Sequence, residues 1–496
     1  MSTTYAAEAA SPPDPRRWLS LVILLIANFM NLIDVTIVNV ALPSMRENLG
    51  ATDNQIEWVV AAYVLAFALG LLPFGRLGDI VGRTKMFLWG VAAFTAASAL
   101  CGLAHNIEML IFARVLQGIG GAMMTPQVLA IATVTFPPHE RGQAFSLFGL
   151  SAGLASVCGP ILGGLLIDAQ LFGLDWQPIF LVNIPIGTGA IIAGWMLIPR
   201  LPGHKELRND YVGIGLFGLG IVAVVFPIVE GRAYGWPVWA FGMIGAGLVL
   251  LGLFYIWQGK RAAAGQPQLL NYDLLRNKDY MFGAFVVTVF ASGIPGMFMV
   301  ISLLLQSGFG FSPLQSGLTN TPFSVGVLIA SAIAGRFGAR YLRARLAAAG
   351  ALLAGGIGWL HFIIAGVTTS IDSWTFLPPL LIAGIGLGLG FSSLFQLVLR
   401  NVPPRDAGAG SGALQAFQQV GGALGIALVG EIFFTHLAGS FASGATPNIA
   451  FAEAAALALW YQVVAFGIVL AMAFVFKKSP SGPAAAQAQH ATVVEV

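Results

Sequence analysis

Two ionisable side chains stand inside long apolar stretches where a charge is costly: Asp34, in the run NLIDVTIV, and Arg114, in the run IFARVLQG. A charge near the centre of a bilayer costs at least about 2.5 kcal/mol on insertion scales, so each such residue invites a functional reading. A neighbouring cation favours the charged carboxylate, whereas desolvation favours the protonated one. Opposed effects of that kind suit a switchable proton site, with Asp34 exchanging a proton and Arg114 tuning it. The alternative is a static pair that locks two helices together. Asn31 lies three residues before Asp34, and Gln117 three after Arg114, so each shares a helix face with its charged neighbour. Polar stripes of this sort line cavities.

Further along, Gln415, Gln418 and Gln419 fall at i, i+3 and i+4 and give a polar face to an otherwise apolar segment. They either contact substrate or bond to neighbouring helices. Met123, with Met30, Met124 and Phe417, adds adaptable apolar surface of the kind that suits varied ligands. Glu230 and Glu431 are secondary acidic candidates near helix ends, where rim residues reach water. His105, His361 and His436 each stand alone, and Cys101 and Cys158 lack metal-ligand or redox spacing. A loop of the form G-x-x-x-x-G-K-[ST] is absent, so direct ATP hydrolysis is not expected. Neither a catalytic nor a metal site is expected, and no cofactor.

These residues must be positioned by membrane-spanning helices. Of 496 residues, 57% are hydrophobic and 9% charged, against roughly 25% charged in a soluble domain. Apolar runs of about 20 residues, the length that crosses a bilayer, succeed one another from Trp18 to Phe476. The expected fold is an all-α polytopic membrane protein of fourteen helices, at 18–41, 55–75, 86–104, 107–134, 142–167, 177–198, 211–230, 237–258, 280–306, 314–337, 344–366, 375–400, 407–436 and 451–476. The 62 glycines fit a bundle in which small residues let backbones approach. On this map Asp34 lies about 24 Å from one edge of the membrane and Arg114 about 10 Å from the other. In a core of about 30 Å their depths agree to within one helical turn, so they can meet directly or through Gln117.

Basic residues give the direction. Lys and Arg gather in every second loop, which marks those loops as cytoplasmic; of the 24, only Arg46, Arg232 and Arg114 fall elsewhere. Both termini are therefore expected in the cytoplasm, and the net charge of +3 reflects topology rather than affinity for nucleic acid. Residues 1–17 and 477–496 read as cytoplasmic tails. Residues 259–279, where leucines sit beside charges, read as a cytoplasmic linker containing a short amphipathic helix.

The segment GRLGDIVGRTK at 75–85 recurs 260 residues later as GRFGARYLRAR at 335–345. Parallel repeats mark transporters whose halves rock about a central site. The chain then divides into a six-helix bundle at 18–198, two inserted helices at 199–258, the linker, and a second six-helix bundle at 280–476.

These motifs resemble the major facilitator superfamily, in particular its fourteen-helix drug:proton antiporter branch, over nearly the whole chain. Gly75, Gly78, Asp79, Gly82 and Arg83 are similar to that family's gating turn, with Ile80 where a basic residue is common and Ala339 replacing the acid in the second copy. RVLQGIGGAMMTP at 114–126 resembles the fourth-helix motif, whose arginine the family implicates in proton coupling. GLSAGLASVCGPILGG at 149–164 resembles the antiporter motif of the fifth helix, with Gly159, Pro160, Gly163 and Gly164 matching and Ala155 standing for a glycine. Pro160 removes an amide hydrogen bond and kinks that helix. LIDVTIVNVALP at 32–43, WQPIFLVNIPIG at 176–187 and SGALQAFQQVGGALG at 411–425 resemble further segments of the branch. The resemblance implies a monomeric proton-driven exporter of hydrophobic or cationic compounds in a bacterial inner membrane, with lipids, protons and a small-molecule substrate as its partners. A dedicated exporter of one sugar, organic acid or similar metabolite is the alternative on the same fold. An integral-membrane enzyme acting on lipid would need clustered carboxylates or histidines at the membrane surface, and the sequence offers none.

Overall fold

The computed structural model describes residues 15–203, 209–231, 233–337, 341–367, 369–400, 402 and 407–476. Most of both tails, together with Lys205, Arg208, Arg232, Gly338, Ala339, Arg340 and Arg405, lies outside the described residues.

Among the described residues the chain is helical without strands. The first hairpin shows how local sequence sets the turns. Helix α1 (Arg17–Leu49) ends on Gly50, whose φ of 59° is left-handed and suits a residue without a Cβ. Thr52 then opens α2 (Asp53–Val81) with a capping box completed by Gln55. The first half continues with α3 (Arg83–Gly102), α4 (Ile107–Thr135), α5 (Pro138–Asp168), the short α6 (Pro178–Leu181) and α7 (Asn183–Leu197). The inserted pair is α8 (Tyr211–Glu230) and α9 (Val238–Ala263). The second half comprises α11 (Lys278–Ser292), α12 (Pro295–Leu303), α13 (Pro313–Phe337), α14 (Leu342–Ala365), α15 (Ser373–Leu399), α16 (Ala407–Ala442) and α17 (Pro447–Ala473), preceded by the five-residue α10 (Tyr272–Arg276).

Three departures from the sequence map have local causes. The sixth span is split into α6 and α7 at Val182, three residues before Pro185, which has no amide hydrogen to donate back. The ninth is split into α11 and α12 at Gly293–Pro295 and finishes in a π-helical turn at Leu304–Gly308. In the linker, α9 simply runs on to Ala263, and only α10 forms beyond it.

Among the described residues twelve helical segments are long and apolar enough to cross a bilayer, counting α6 with α7, and α11, α12 and the π turn, as one segment each. Helices α5 and α13, of 31 and 25 residues, lie outside that set. The packing is duplicated. In the first half α2 and α3 lie on α4, α1 on α5, and α3 on α7; in the second, α13 and α14 lie on α15, α11 on α16, and α14 on α17. The halves meet where α5 packs against α13 and α2 against α16, while α8 touches both α2 and α16.

Candidate functional site

Asp34 and Arg114 meet in the interior of the first half. Arg114 Nη1 donates to Asp34 Oδ2 at 2.5 Å, and the two side chains are 1% and 0% exposed. The same nitrogen donates to Gln117 Oε1 at 2.6 Å, and Gln117 Nε2 donates to Asp34 Oδ1 at 2.6 Å. Gln117 therefore spans the pair, so both routes that the depth argument allowed are present together. Asn183, the first residue of α7, donates to Asp34 Oδ1 at 3.4 Å. Ser98 of α3 accepts from Gln117 at 2.8 Å and from Asn183 at 3.3 Å. Arg114 Nε reaches the Val59 carbonyl of α2 at 3.0 Å, and its guanidinium carbon lies 4.2 Å from the centre of the Tyr63 ring. Tyr63 donates its hydroxyl proton to Asn31 Oδ1 at 2.5 Å. Five helices, α1, α2, α3, α4 and α7, thus contribute to one network around Asp34.

The close approach depends on small residues in α4. A Cβ on Gly118 would lie 2.5 Å from the Tyr63 carbonyl oxygen, and one on Gly121 would lie 2.8 Å from Asn31 Oδ1. The sequence pointed to Asp34, Arg114, Asn31 and Gln117 but not to Tyr63, Ser98, Asn183 or the Val59 carbonyl. Asn183 sits in the WQPIFLVNIPIG segment, so that segment was visible while its bonding residue was not.

The other expected residues sit elsewhere. Met123 has its Cβ beside Gly90, on the α3 side of α4. Gln415, Gln418 and Gln419 are half-buried on α16 and do not join the Asp34 network. By helical spacing, Gln415 and Gln419 lie between Gly412, near Leu72 of α2, and Gly422, near Val64 of α2, and so face the first half. In the turn between α2 and α3, Arg83 Nε donates to Asp79 Oδ1 at 2.9 Å and Nη1 to the Ala130 carbonyl of α4 at 3.3 Å. Gly82 takes φ 105°, and a Cβ there would lie 2.8 Å from the Leu201 carbonyl oxygen. Gly75 faces Pro126, and Gly78 lies against the Gln127 side chain. Segment 199–201 is tied over this turn, since Thr84 Oγ1 donates to the Pro199 carbonyl at 2.6 Å.

On α5, Gly159 lies against Thr36 and Gly163 against Ile37, both of α1, while Gly164 abuts the backbone of Leu314 on α13. A Cβ on Gly317 of α13 would meet the Pro160 carbonyl. The antiporter-like segment is thus part of the contact between halves, at the bundle end remote from the first residues of α1. Gln306 adds a bond across the same end, donating to the Val40 carbonyl at 2.8 Å, and Ser312 of the second half donates to Asp168 at 3.0 Å. Glu230 and Glu431 accept from Trp58 and Trp236 respectively. Among the described residues no group of three or more His, Cys, Asp or Glu is placed to hold a metal ion. His361 contacts the Ala456 carbonyl at 2.8 Å, between α14 and α17.

Two similarly packed helical halves, in contact through α5 and α13 and through α2 and α16, with a buried ion pair in one of them, are an architecture suited to a polytopic membrane transporter. The family model for the Major Facilitator Superfamily matches residues 24–212 and 204–426, and the chain belongs to that superfamily. It is 40% identical over 442 residues to a probable actinorhodin transporter of Streptomyces coelicolor, covering 89% of this chain and 76% of that one. It is 33% identical to a puromycin resistance protein of Streptomyces alboniger, covering 86% and 83% of the two chains. Among solved structures, a bacterial homologue of the lysosomal transporter Spinster, in an inward-facing and unoccupied conformation, shares the fold with a TM-score of 0.61 at 18% identity, covering 95% of this chain and all of that one. The protein is a secondary efflux transporter, embedded in a membrane and acting on a small molecule, and is not an enzyme.

Proposed function

We propose that this transporter is a proton-coupled antiporter of a bacterial cytoplasmic membrane, with fourteen crossings and both termini in the cytoplasm, working as a monomer. Helices α5 and α13 would supply the two crossings beyond the twelve apolar segments; their pairing across the halves supports that place for them. The halves would rock about a central cavity and export a hydrophobic or cationic compound. Glutamines 415 and 419 and the Asn31 face would line that cavity, the turn at 75–83 would gate its cytoplasmic side, and no cofactor is required beyond the proton gradient.

The observation that carries the proton role is the set of three donors gathered on the Asp34 carboxylate. Arg114 occupies one carboxylate oxygen, and Gln117 and Asn183 occupy the other. A proton on Asp34 removes the charge that holds Arg114 and weakens the bonds from the donors, which sit on α4 and α7. Proton uptake is thereby tied to relative movement of α1, α4 and α7, which is what coupling requires. Once Asp34 is neutral, Arg114 is an uncompensated buried cation and strains towards any other anion or dipole. Returning to the paired state drives the proton off.

The test is an everted-vesicle assay in which candidate substrates dissipate a preset pH gradient. Wild type should respond to its substrate and Asp34→Asn should not; an equal response from both would remove Asp34 from the proton path. The relative named for actinorhodin alone favours a second reading, a dedicated exporter of one natural product. A substrate panel in the same vesicles separates it from broad drug efflux.

A further inference from the structure

The inserted helices have a bonding role at the bundle end where the halves close. Trp58 of α2 donates from Nε1 to Oε1 of Glu230, the last residue of α8, at 2.6 Å. After a short turn, Trp236 donates from Nε1 to Oε1 of Glu431 on α16 at 3.1 Å, where Thr435 also donates at 3.2 Å. Two joints therefore link the first half to the insert and the insert to the second half: Trp58 with Glu230, and Trp236 with Glu431.

The turn is shaped for these joints. Trp236 adopts φ 55° directly after Gly235 at 66°. A bulky residue in that region is held there at a cost and persists only where its surroundings over-determine it. Trp236 N–H donates to the Gly231 carbonyl at 2.7 Å, and a Cβ on Gly231 would lie 3.0 Å from the Trp236 ring, so a side chain there would crowd the indole. Aromatic packing supports both joints: the Phe226 ring lies 5.8 Å from that of Trp58, and Phe241 lies 5.8 Å from Trp236. Beside the joints, Glu57 of α2 is 1% exposed, and its carboxyl oxygens lie 2.6 and 2.8 Å from where a Cβ of Gly430 would stand. The Glu57 side chain fills the space that Gly430, lacking a Cβ, leaves between α2 and α16.

We infer that α8 and its turn form a clasp that holds the closed ends of the two halves together through paired Trp–Glu hydrogen bonds, and that the clasp must open before the cavity can open at that end. The inference rests on the rocking of the halves, and not on the proton role of Asp34. Trp58, Glu230, Trp236 and Glu431 are positioning residues in this scheme: they touch no substrate but set how often the closed end opens. Hydrogen bonds to charged acceptors are stronger than neutral ones, so two such joints in series give the closed state a definite bias.

The test is a distance measurement between spin labels at Leu103 and Ala442, exposed residues at the closing ends of the first and second halves. Both native cysteines are replaced by serine, and the full chain is held in lipid nanodiscs. Trp58→Phe and Trp236→Phe keep a ring but remove the donor. Each should raise the long-distance fraction roughly tenfold, the shift produced by losing one hydrogen bond to a charged group. Glu230→Gln, which keeps an acceptor, should shift it less than Glu230→Leu; that pair carries the test if a tryptophan variant fails to fold. An unchanged distance distribution in the folded Trp58→Phe/Trp236→Phe protein, or in Glu230→Leu, overturns the clasp. Repeating the measurement with Asp34→Asn added should leave these shifts in place. A vesicle assay that removes Asp34 from the proton path would therefore leave the clasp standing, and the reverse also holds.

Discussion

Arg114 Nη1 bonds both Asp34 and Gln117, and Gln117 returns a bond to Asp34, so carboxylate, guanidinium and amide close a ring buried from solvent. Removing one member of a buried pair leaves a charge without compensation, which costs about 3–5 kcal/mol, whereas removing both charges costs far less. Arg114→Gln and Asp34→Asn should therefore each destabilise the protein more than the double variant Asp34→Asn/Arg114→Gln does. Thermal unfolding of the four proteins in nanodiscs gives the coupling directly. Additive effects would mean that the two side chains are not paired in the membrane.

Asn183 and Ser98 hold the ring from α7 and α3. Asn183→Ala removes the weaker donor to Asp34 and the bond to Ser98 but leaves Gln117 in place; both lost bonds are long, so the cost in stability should stay at about 1–2 kcal/mol. Its effect on coupling should be larger, because one of the three donors that hold the Asp34 carboxylate is gone. The pH gradient at half-maximal transport is the readout, and a profile identical to wild type would place Asn183 outside the coupling path.

The meeting of Asp34 and Arg114 was legible in the sequence because charge inside an apolar run is conspicuous and helical rise sets its level along the helix. The partners were not, because Ser98, Tyr63 and Asn183 are ordinary in composition and acquire meaning only when their helices converge. The breaks before Pro185 and Pro295 were invisible to hydropathy, which counts apolar residues and ignores backbone donors. Glu230 and Glu431 read as rim residues by position, whereas each bonds a tryptophan that no periodicity connects to it. The duplicated packing was foreshadowed by the 75–85 and 335–345 segments, although part of the second copy lies outside the described residues.

At the turn between α2 and α3, backbone geometry outweighs the ion pair. Asp79 and Arg83 are each 32% exposed, so breaking their bond by Asp79→Asn should change stability by less than about 1 kcal/mol. Gly82→Ala puts a side chain at φ 105° and against the Leu201 carbonyl, a combination that costs about 2 kcal/mol or more. Unfolding measurements on the two variants should rank them in that order, and the reverse order would show that the charge pair dominates the turn.

The contact of α5 with α13 sets a steric limit on closure. Gly317→Ala places a Cβ against the Pro160 carbonyl backbone, which has no flexible end to swing aside. The closed end should then fail to seal, so a cysteine introduced at Ile37, 1% exposed here and packed against Gly163, should react with a maleimide several-fold faster in the Gly317→Ala background. Equal rates in both backgrounds would mean that α5 and α13 can separate without unsealing that end.

Asp175, in the connection between α5 and α6, titrates outside the membrane-spanning segments. Partial burial raises its pKa above the ordinary carboxylate value, and nearby Glu47 raises it further. A carboxyl with a raised folded pKa binds its proton more tightly in the folded protein than in the unfolded one. It therefore weakens the fold where it is ionised, above the folded pKa, and that penalty disappears as pH falls towards the unfolded value. Wild-type unfolding temperature should rise slightly as pH is lowered through the range just above the usual carboxylate pKa. Because the group is only partly buried, the gain should be small. Asp175→Asn should unfold at a slightly higher temperature than wild type at neutral pH, and the difference should shrink on acidification. A difference that grew on acidification would mean that the ionised carboxylate stabilises the fold and that its pKa is shifted the other way.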